Sequence, residues 1–370
     1  MDAATEKGHE PLAPVLHQPG PWVCQFDAGD KAAIKELRWP NLAIINSYND
    51  MLSAHQPLER YPVILRAAAR EAGATAQVAG GVPAMCDGIT QGMPGMELSL
   101  FSRDVIAMAT GVSLAHGMFD ATLCPGCVRQ DRAWTVDRRT GLRSLPTIFV
   151  PGGPMPSGIA NKDKARIRKL FAEGKVGREA LGWSPRPGSY HSAGTCTFYG
   201  TANSNQMLME VMGPAPARQC VHTADTPLRD ALTGAAARRA AQITALGSDY
   251  RPLARIVDER AIVQCGGGPA GHWRQHQSHS APDRHCAGRG SDPGLGGFSR
   301  SVPMWCRCWR DHPNGSADVN HFHAAGGTGF LMRELLDAGL MASGCVHHQR
   351  SQPVQPRPGA LAVGAGSGVA

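Results

Sequence analysis

The sequence predicts an α/β layer fold, in which short apolar strands alternate with helices. Three observations carry this. The run NLAIINS at 41–47 reads as a buried strand. The segments 61–72 and 95–116 carry apolar residues at helical spacing. Glycine-rich turns at 80–92 and 194–200 punctuate the apolar runs.

The elements follow in order. After the 41–47 strand, Tyr61 to Ala72 reads as a helix. Gln77 to Val82 reads as a short strand before the turn that carries Cys86. Gly95 to His116 reads as one or two helices, and Thr147 to Val150 as a strand ending at a Pro-Gly-Gly turn. Asn161 to Glu173 has the marks of a helix, with Asn161 as N-cap and Gly174 as stop. The apolar run Met207 to Met212 is helical behind the turn that carries Cys196. Thr226 to Leu246 holds an alanine-rich helix behind a Thr-Pro start.

A chain of 370 residues has room for two domains, and its 42% apolar content is ordinary for a globular protein. No run of about 18 apolar residues appears, so no membrane span is expected. Residues 1–30, a segment of uncertain structure, lack an apolar signal core, so the expected compartment is the cytoplasm. Eleven cysteines are many for that compartment, and without a secretory signal the disulfide reading is weak. The net charge of +7 raises the question of nucleic-acid or phosphate partners. Much of that excess sits in stretches that are abnormal for other reasons, so no nucleic-acid partner is expected.

Those stretches are 124–144, 264–312 and the tail 342–370, which lacks an apolar period of either 2 or 3.6. They hold seven of the eleven cysteines and four of the seven tryptophans, and they concentrate Arg and His. Such composition is typical of GC-rich coding DNA read in a wrong frame. With free codon choice and a one-base shift, the eight residues from Cys127 to Trp134 re-read as ACDKIVPG. The same shift from Gln264 yields an apolar strand, an ATGGNTNH turn and an apolar helix. The expectation is a frame-disrupted, early-terminated form of a longer protein; a fusion of unrelated loops is the bland alternative. Cys124-Pro125-Gly126-Cys127 has the form of a CxxC metal or redox motif. It lies inside a suspect stretch, with no second CxxC at zinc-finger spacing. His272, His276, His279 and His285 fall under the same discount.

Two turns carry chemistry. Gly194-Thr195-Cys196-Thr197-Phe198-Tyr199-Gly200 sets a cysteine among small residues before a helix. A thiolate there sits near backbone N–H groups and a helix N-terminus, which favour the ionised, metal-binding form. Upstream, Gly80 to Gly92 presents Met85-Cys86-Asp87-Gly88 in a similar setting. Together they suggest a metal or iron–sulfur site built from loops of an α/β domain.

These residues resemble the dihydroxy-acid/phosphogluconate dehydratase family, and within it the phosphogluconate branch. The resemblance rests on Asn46-Ser47-Tyr48-Asn49-Asp50-Met51-Leu52-Ser53-Ala54-His55-Gln56-Pro57, on the Met85–Gly88 turn and on Met96-Glu97-Leu98-Ser99-Leu100. It also rests on Phe149-Val150-Pro151-Gly152-Gly153-Pro154-Met155 and on the Cys196 segment. It covers roughly 31–123, 145–263 and 313–341. It implies an α/β cluster-binding domain at 31–263, a return to family register at 313–341, and a β-rich C-terminal domain that this chain lacks.

The resemblance further implies a hydro-lyase that converts 6-phospho-D-gluconate to 2-dehydro-3-deoxy-6-phospho-D-gluconate. A 4Fe-4S cluster would act as Lewis acid on the C3 hydroxyl, and Mg²⁺ or another divalent cation would hold the C1 carboxylate and C2 oxygen. The alternatives are the dihydroxy-acid dehydratase of branched-chain amino-acid synthesis and a non-catalytic truncated remnant. Cys196 is the expected cluster ligand, against the reading of a buried inert thiol. Asp87 is an expected cation ligand, or else a turn cap. Cys86 is either a ligand or a small buried loop residue. Cys127 falls within about a residue of the place of the family's remaining cluster cysteine. The family's proton-abstracting base belongs to the C-terminal part, so no catalytic base is assigned. His55, Asn203, Ser204 and Asn205 are expected to line a substrate pocket. Lys162 and Lys164, on the 161–173 helix with Arg166, Arg168 and Lys169, are candidates for the phosphate, or an ordinary solvated face. The partner is a sugar-acid phosphate and, from the resemblance, a second copy in a homodimer.

Overall fold

The computed structural model describes residues 26–82, 84–85, 90, 92–126, 144–158, 161–177, 180, 192–198, 200–216, 220–258, 261 and 317–337. Four parallel strands form one sheet in the order β2-β1-β3-β4: β1 Asn41–Asn46, β2 Thr75–Gly81, β3 Ala121–Gly126 and β4 Thr147–Pro151. The helices are α1 Ala28–Lys35, α2 Tyr61–Glu71, α3 Leu98–Leu114, α4 Asn161–Ala172, α5 Thr201–Met212, α6 Pro227–Gln242, the short α7 Leu253–Ile256, α8 Val319–Ala324 and α9 Gly327–Asp337. The α/β class expected from the sequence is the one observed. No described helix is long and apolar enough to cross a membrane.

The sheet explains why β1 reads as a continuous apolar run. Successive side chains alternate faces, and both faces are covered. Leu42 and Ile44 join Tyr61 and Leu65 of α2 and the alanines 236, 237 and 240 of α6 in one cluster. Ala43 and Ile45 join Ile106 of α3 and Leu208, Met209 and Met212 of α5 in the other. The result is three layers, helix on sheet on helix. Leu42 and Ile44 are fully buried, so truncating either to Ala would cost about 2–5 kcal/mol. Small residues let α2 and α6 approach closely: a Cβ on Gly234 would stand 3.4 Å from that of Ala68.

Helix starts follow their local signals. Asp27 caps α1 by accepting from the Asp30 N–H at 2.8 Å. Thr226 caps α6 by accepting from the Arg229 N–H at 3.2 Å, with Pro227 next. Gly174, two residues past α4, has φ +68°, as its expected role as a stop requires.

One strand departs from the sequence reading. β3 runs through Cys124, Pro125 and Gly126, which the sequence assigned to an abnormal stretch, and all three pair with β4. Pro125 is tolerated because the β1 ladder ends at Ile44–Leu123. Its carbonyl accepts from the Ser47 N–H at 3.4 Å on that side, so its missing donor also faces a place where no ladder bond is required. Residues 127–143, 262–316 and 338–370 lie outside the described residues, as do the expectations placed on them.

The strand order reverses between β1 and β3, the point at which open parallel sheets bind ligands beyond their carboxyl ends. Four of the segments singled out in the sequence follow a carboxyl end. Asn46-Ser47-Tyr48 leaves β1, the Cys86 turn lies downstream of β2, Cys127 is the residue after β3, and Pro-Gly-Gly-Pro continues β4.

Candidate active site at the carboxyl edge of the sheet

The turn after β4 is held from behind. Tyr61, fully buried at the start of α2, donates its hydroxyl to the Pro151 carbonyl at 3.2 Å. Arg229, fully buried in the first turn of α6, donates Nη1 to the same carbonyl at 3.2 Å and Nη2 to the His222 carbonyl at 2.6 Å. Gly153 has φ +84°, and a Cβ there would stand 2.1 Å from the His222 carbonyl oxygen. Only glycine fits this position.

The turn that bears Cys196 is laid alongside. Pro154 and Thr195 form a parallel bridge, with Thr195 N–H donating to the Gly153 carbonyl and Met155 N–H to the Thr195 carbonyl, each at 2.9 Å. Gly194 N–H reaches the Ser53 carbonyl at 2.7 Å, which ties the turn to the loop after β1. Gly194, at φ +118°, also admits no side chain, because a Cβ would lie 2.5 Å from Met155 N. Asn203 then clamps the turn from α5. Its amide nitrogen donates to the carbonyls of Cys196 at 2.5 Å and Phe198 at 2.8 Å, and its oxygen accepts from the Thr195 hydroxyl at 2.9 Å.

Among the described cysteines, Cys196 is the partly exposed one, while Cys124 and Cys220 are buried. Burial pushes the Cys124 thiol up to about 12. Burial first, and then the Glu210 carboxylate, hold the Cys220 thiol well above its usual range, and its Sγ donates to the Gln206 carbonyl at 2.9 Å. A buried, protonated thiol is a poor ligand or nucleophile. Cys196 therefore has the exposure that metal ligation needs.

The other expected residues sort as follows. His55 is buried, with Nδ1 2.8 Å from the Ser47 carbonyl, and Ser47 in turn donates to the Pro125 carbonyl at 3.2 Å; this chain links the loop after β1 to the end of β3. Next to it, the Tyr48 hydroxyl donates to Asp50 at 2.5 Å, which raises the phenol to about 12. Asn203 is buried with its amide engaged by the Cys196 turn, so its geometry is that of a clamp. Ser204 and Asn205 are buried in the first half of α5. Lys162 is exposed on α4, in the predicted helix. Cys86, Asp87, Cys127 and the Lys164 side chain lie outside the described residues. Among the described residues no group of three or more His, Cys, Asp or Glu side chains is arranged to hold a metal ion.

The segment around α8 docks on this site. Asp318 caps α8, accepts from the Ser157 hydroxyl at 2.6 Å and has its carboxylate 2.6 Å from His321 Nδ1. Burial works against its ionisation, but the bonds from Ser157 and then His321 outweigh it and leave the carboxyl below its usual range. Asn320 donates to the Met155 carbonyl at 3.0 Å, and Val319 N–H to the Thr197 carbonyl at 2.8 Å. His323 stacks edge-on against His222, with ring centroids 4.5 Å apart. Sequence reasoning missed Tyr61 and Arg229; Asp318 lies in the 314–322 run, which the sequence left as either structural or part of the active-site rim. For Arg229 a signal was present: a lone Arg in the first turn of an alanine-rich helix.

Comparison with known proteins gives the family. Residues 39–265 match the family described as "Dihydroxy-acid/6-phosphogluconate dehydratase N-terminal". The chain belongs to this family. It is 52% identical over 318 residues to the phosphogluconate dehydratase of Rhizobium meliloti, covering 84% of this chain and 51% of the relative. It is 50% identical over 316 residues to that of Pseudomonas aeruginosa, again 84% and 51%. A dihydroxy-acid dehydratase of Akkermansia muciniphila is 35% identical over 190 residues, 49% of this chain and 33% of the relative. The chain thus spans about half the length of the curated phosphogluconate dehydratases it matches.

Proposed function

We propose that this chain is the cluster-binding portion of a hydro-lyase that removes water from 6-phospho-D-gluconate to give 2-dehydro-3-deoxy-6-phospho-D-gluconate. The observation that carries the reading is the Cys196 turn, bridged to the carboxyl end of β4 and clamped by Asn203, on a chain about half identical to phosphogluconate dehydratases. The much shorter match to a dihydroxy-acid dehydratase favours the sugar-acid substrate over the branched-chain precursor.

A 4Fe-4S cluster fits the one partly exposed thiol among the described cysteines. Cys196 would hold it, together with Cys86 and Cys127, and Asp87 would hold a divalent cation. When bound, the group supplies a Lewis acid for the departing C3 hydroxyl. The chain's own residues fix and shield that place. Asn203, Gly153 and Gly194 set the turn, Tyr61 and Arg229 brace the strand end beneath it, and the α8 segment closes over Met155–Ser157. Lys162 would meet the phosphate as a mobile point charge.

The test is anaerobic reconstitution with iron and sulfide, followed by iron analysis and assay of 2-keto product from 6-phosphogluconate and from 2,3-dihydroxyisovalerate. Iron uptake that Cys196→Ser abolishes, with turnover of the sugar acid, supports the reading. Turnover of the dihydroxy acid instead, or uptake untouched by Cys196→Ser, refutes it. Iron bound without any turnover identifies a non-catalytic remnant.

A further inference from the structure

Among the described residues two guanidinium groups are fully buried, and they differ at Nη2. Arg229 donates Nη1 to the Pro151 carbonyl and Nη2 to the His222 carbonyl. Arg103, 1% exposed on α3, has no hydrogen-bond partner at Nε or at Nη2. Among the described residues no carboxylate forms an ion pair with it. Arginine stays protonated at any working pH, so it cannot escape the cost of burial by losing its charge. A buried cation in a folded protein is paired or awaits a partner from outside.

The position of Arg103 suggests which partner. α3 descends from the carboxyl side of the sheet, and near its end Ser113 abuts Gly80, whose Cβ would stand 2.4 Å from the serine oxygen. Arg103 comes ten residues earlier, about 15 Å further up the helix axis. It shares the buried stripe of α3 with Ile106, Thr110 and Leu114. Side chains on a helix lean toward its N-terminus, here away from the sheet and toward the rim where the β-strand carboxyl ends lie.

We infer that Arg103 is the seat of an oxyanion, a carboxylate or phosphate of the substrate. The planar fork of its guanidinium matches two oxygens of either group, and such charge-assisted pairs are the strong ones. This rests on the sugar-acid phosphate reading above, because that substrate carries both anions.

Thermal unfolding and calorimetric titration of the full chain, without iron, test it. The probes are inorganic phosphate and gluconate, and the variants are Arg103→Met and Arg103→Lys. The wild type should be stabilised by at least one probe, with saturable binding. Arg103→Met should unfold no lower than the wild type in anion-free buffer, since it removes an unpaired charge. It should also bind the probe about ten- to a hundredfold more weakly. Arg103→Lys, which keeps charge and loses the fork, should fall between. Stabilisation by phosphate assigns the seat to the phosphate end, and stabilisation by gluconate alone to the carboxylate. Arg103→Met unfolding well below the wild type without anion would show that the guanidinium is already paired within the chain and would overturn the inference. So would a wild type indifferent to both probes. Failure of the dehydratase reading appears elsewhere, in the iron and turnover assays, and leaves this binding measurement intact.

Discussion

Replacing Asn203 with Asp changes one NH₂ to one oxygen and nearly nothing in volume. In the wild type that NH₂ satisfies two carbonyls, those of Cys196 and Phe198, at 2.5 and 2.8 Å, in a residue 3% exposed. The substitution removes both donated bonds and sets a carboxylate against two carbonyl oxygens. At about 1–1.5 kcal/mol for each lost bond, the deficit at neutral pH is about 2–3 kcal/mol. For a domain of this size that lowers Tm by about 4–12 °C. The deficit has a pH signature. An acidic group facing acceptors has its folded pKa raised above the unfolded value of about 3.9. The stability it contributes is therefore complete below about pH 4 and is lost as pH rises through the raised folded value. In acid the protonated group can again donate one bond, so roughly 1 kcal/mol returns. Asn203→Leu loses the same bonds without a titrating group, so its deficit should not vary with pH relative to the wild type. Urea unfolding of the three proteins at pH 4 and pH 7 measures both quantities. An Asn203→Asp deficit under about 1 kcal/mol at pH 7, or one as pH-independent as that of the Leu variant, would refute the clamp.

Three other expectations follow from the same geometry. At pH 8, iodoacetamide should label Cys196 in the native chain well before Cys124 or Cys220, as read by peptide mass spectrometry, because burial holds the Cys124 thiol near 12 and raises that of Cys220. Equal labelling of Cys124 would contradict its burial. Asp249, bonded first by Arg251 and then by Arg239, has its carboxyl lowered to about 2. Its contribution is present above the unfolded value of about 3.9 and disappears as pH falls through about 2, so Asp249→Asn should cost about 1–2 kcal/mol at pH 6 and little at pH 2. Finally, Gly153→Ala should prevent soluble folding or lower Tm by more than about 10 °C. Gly174→Ala has an equally positive φ but no atom within 4 Å of a Cβ, so it should cost only about 1 kcal/mol. Similar costs at the two glycines would mean that backbone conformation, and not the His222 carbonyl, sets the requirement at Gly153.

The layers were legible because they rest on local periodicity. The run NLAIIN, the spacing in 61–72 and the Thr-Pro start of α6 each carry a period or a cap within a few residues. β3 was not legible. Ala-Thr-Leu-Cys-Pro-Gly is short, contains a proline and abuts a stretch of odd composition, and what permits it is the end of the β1 ladder at Leu123, a fact of the sheet. Cys196 was legible as a candidate from its turn of small residues. Its supports were not, because Tyr61 and Arg229 act through the Pro151 carbonyl across gaps of 90 and 78 residues, and Asp318 through the Ser157 hydroxyl across 161. Asn203 shows the limit most clearly: an Asn before an apolar run reads equally as a pocket residue or a clamp, and the choice depends on which carbonyls its amide meets.

If Cys196 holds a metal, as proposed above, it must sit at one place without relying on its own side chain, since the thiolate has to stay available. The chain meets this demand by fixing the backbone on either side of Cys196 from segments far apart in sequence. Ser53 holds Gly194, Gly153 and Met155 hold Thr195, Asn203 holds Cys196 and Phe198, and Val319 holds Thr197. Each of these bonds ends on a peptide group, so the turn can be rigid while the thiol remains partly open. The arrangement also explains why 317–324 belongs to the site although it lies more than a hundred residues downstream. Without Val319, Asp318 and Asn320, the Thr197 and Met155 carbonyls and the Ser157 hydroxyl would lose their partners together. The open side of the turn would then be free to move. The described site is therefore a product of two chain segments, and its rigidity depends on the second finding its way back to the first.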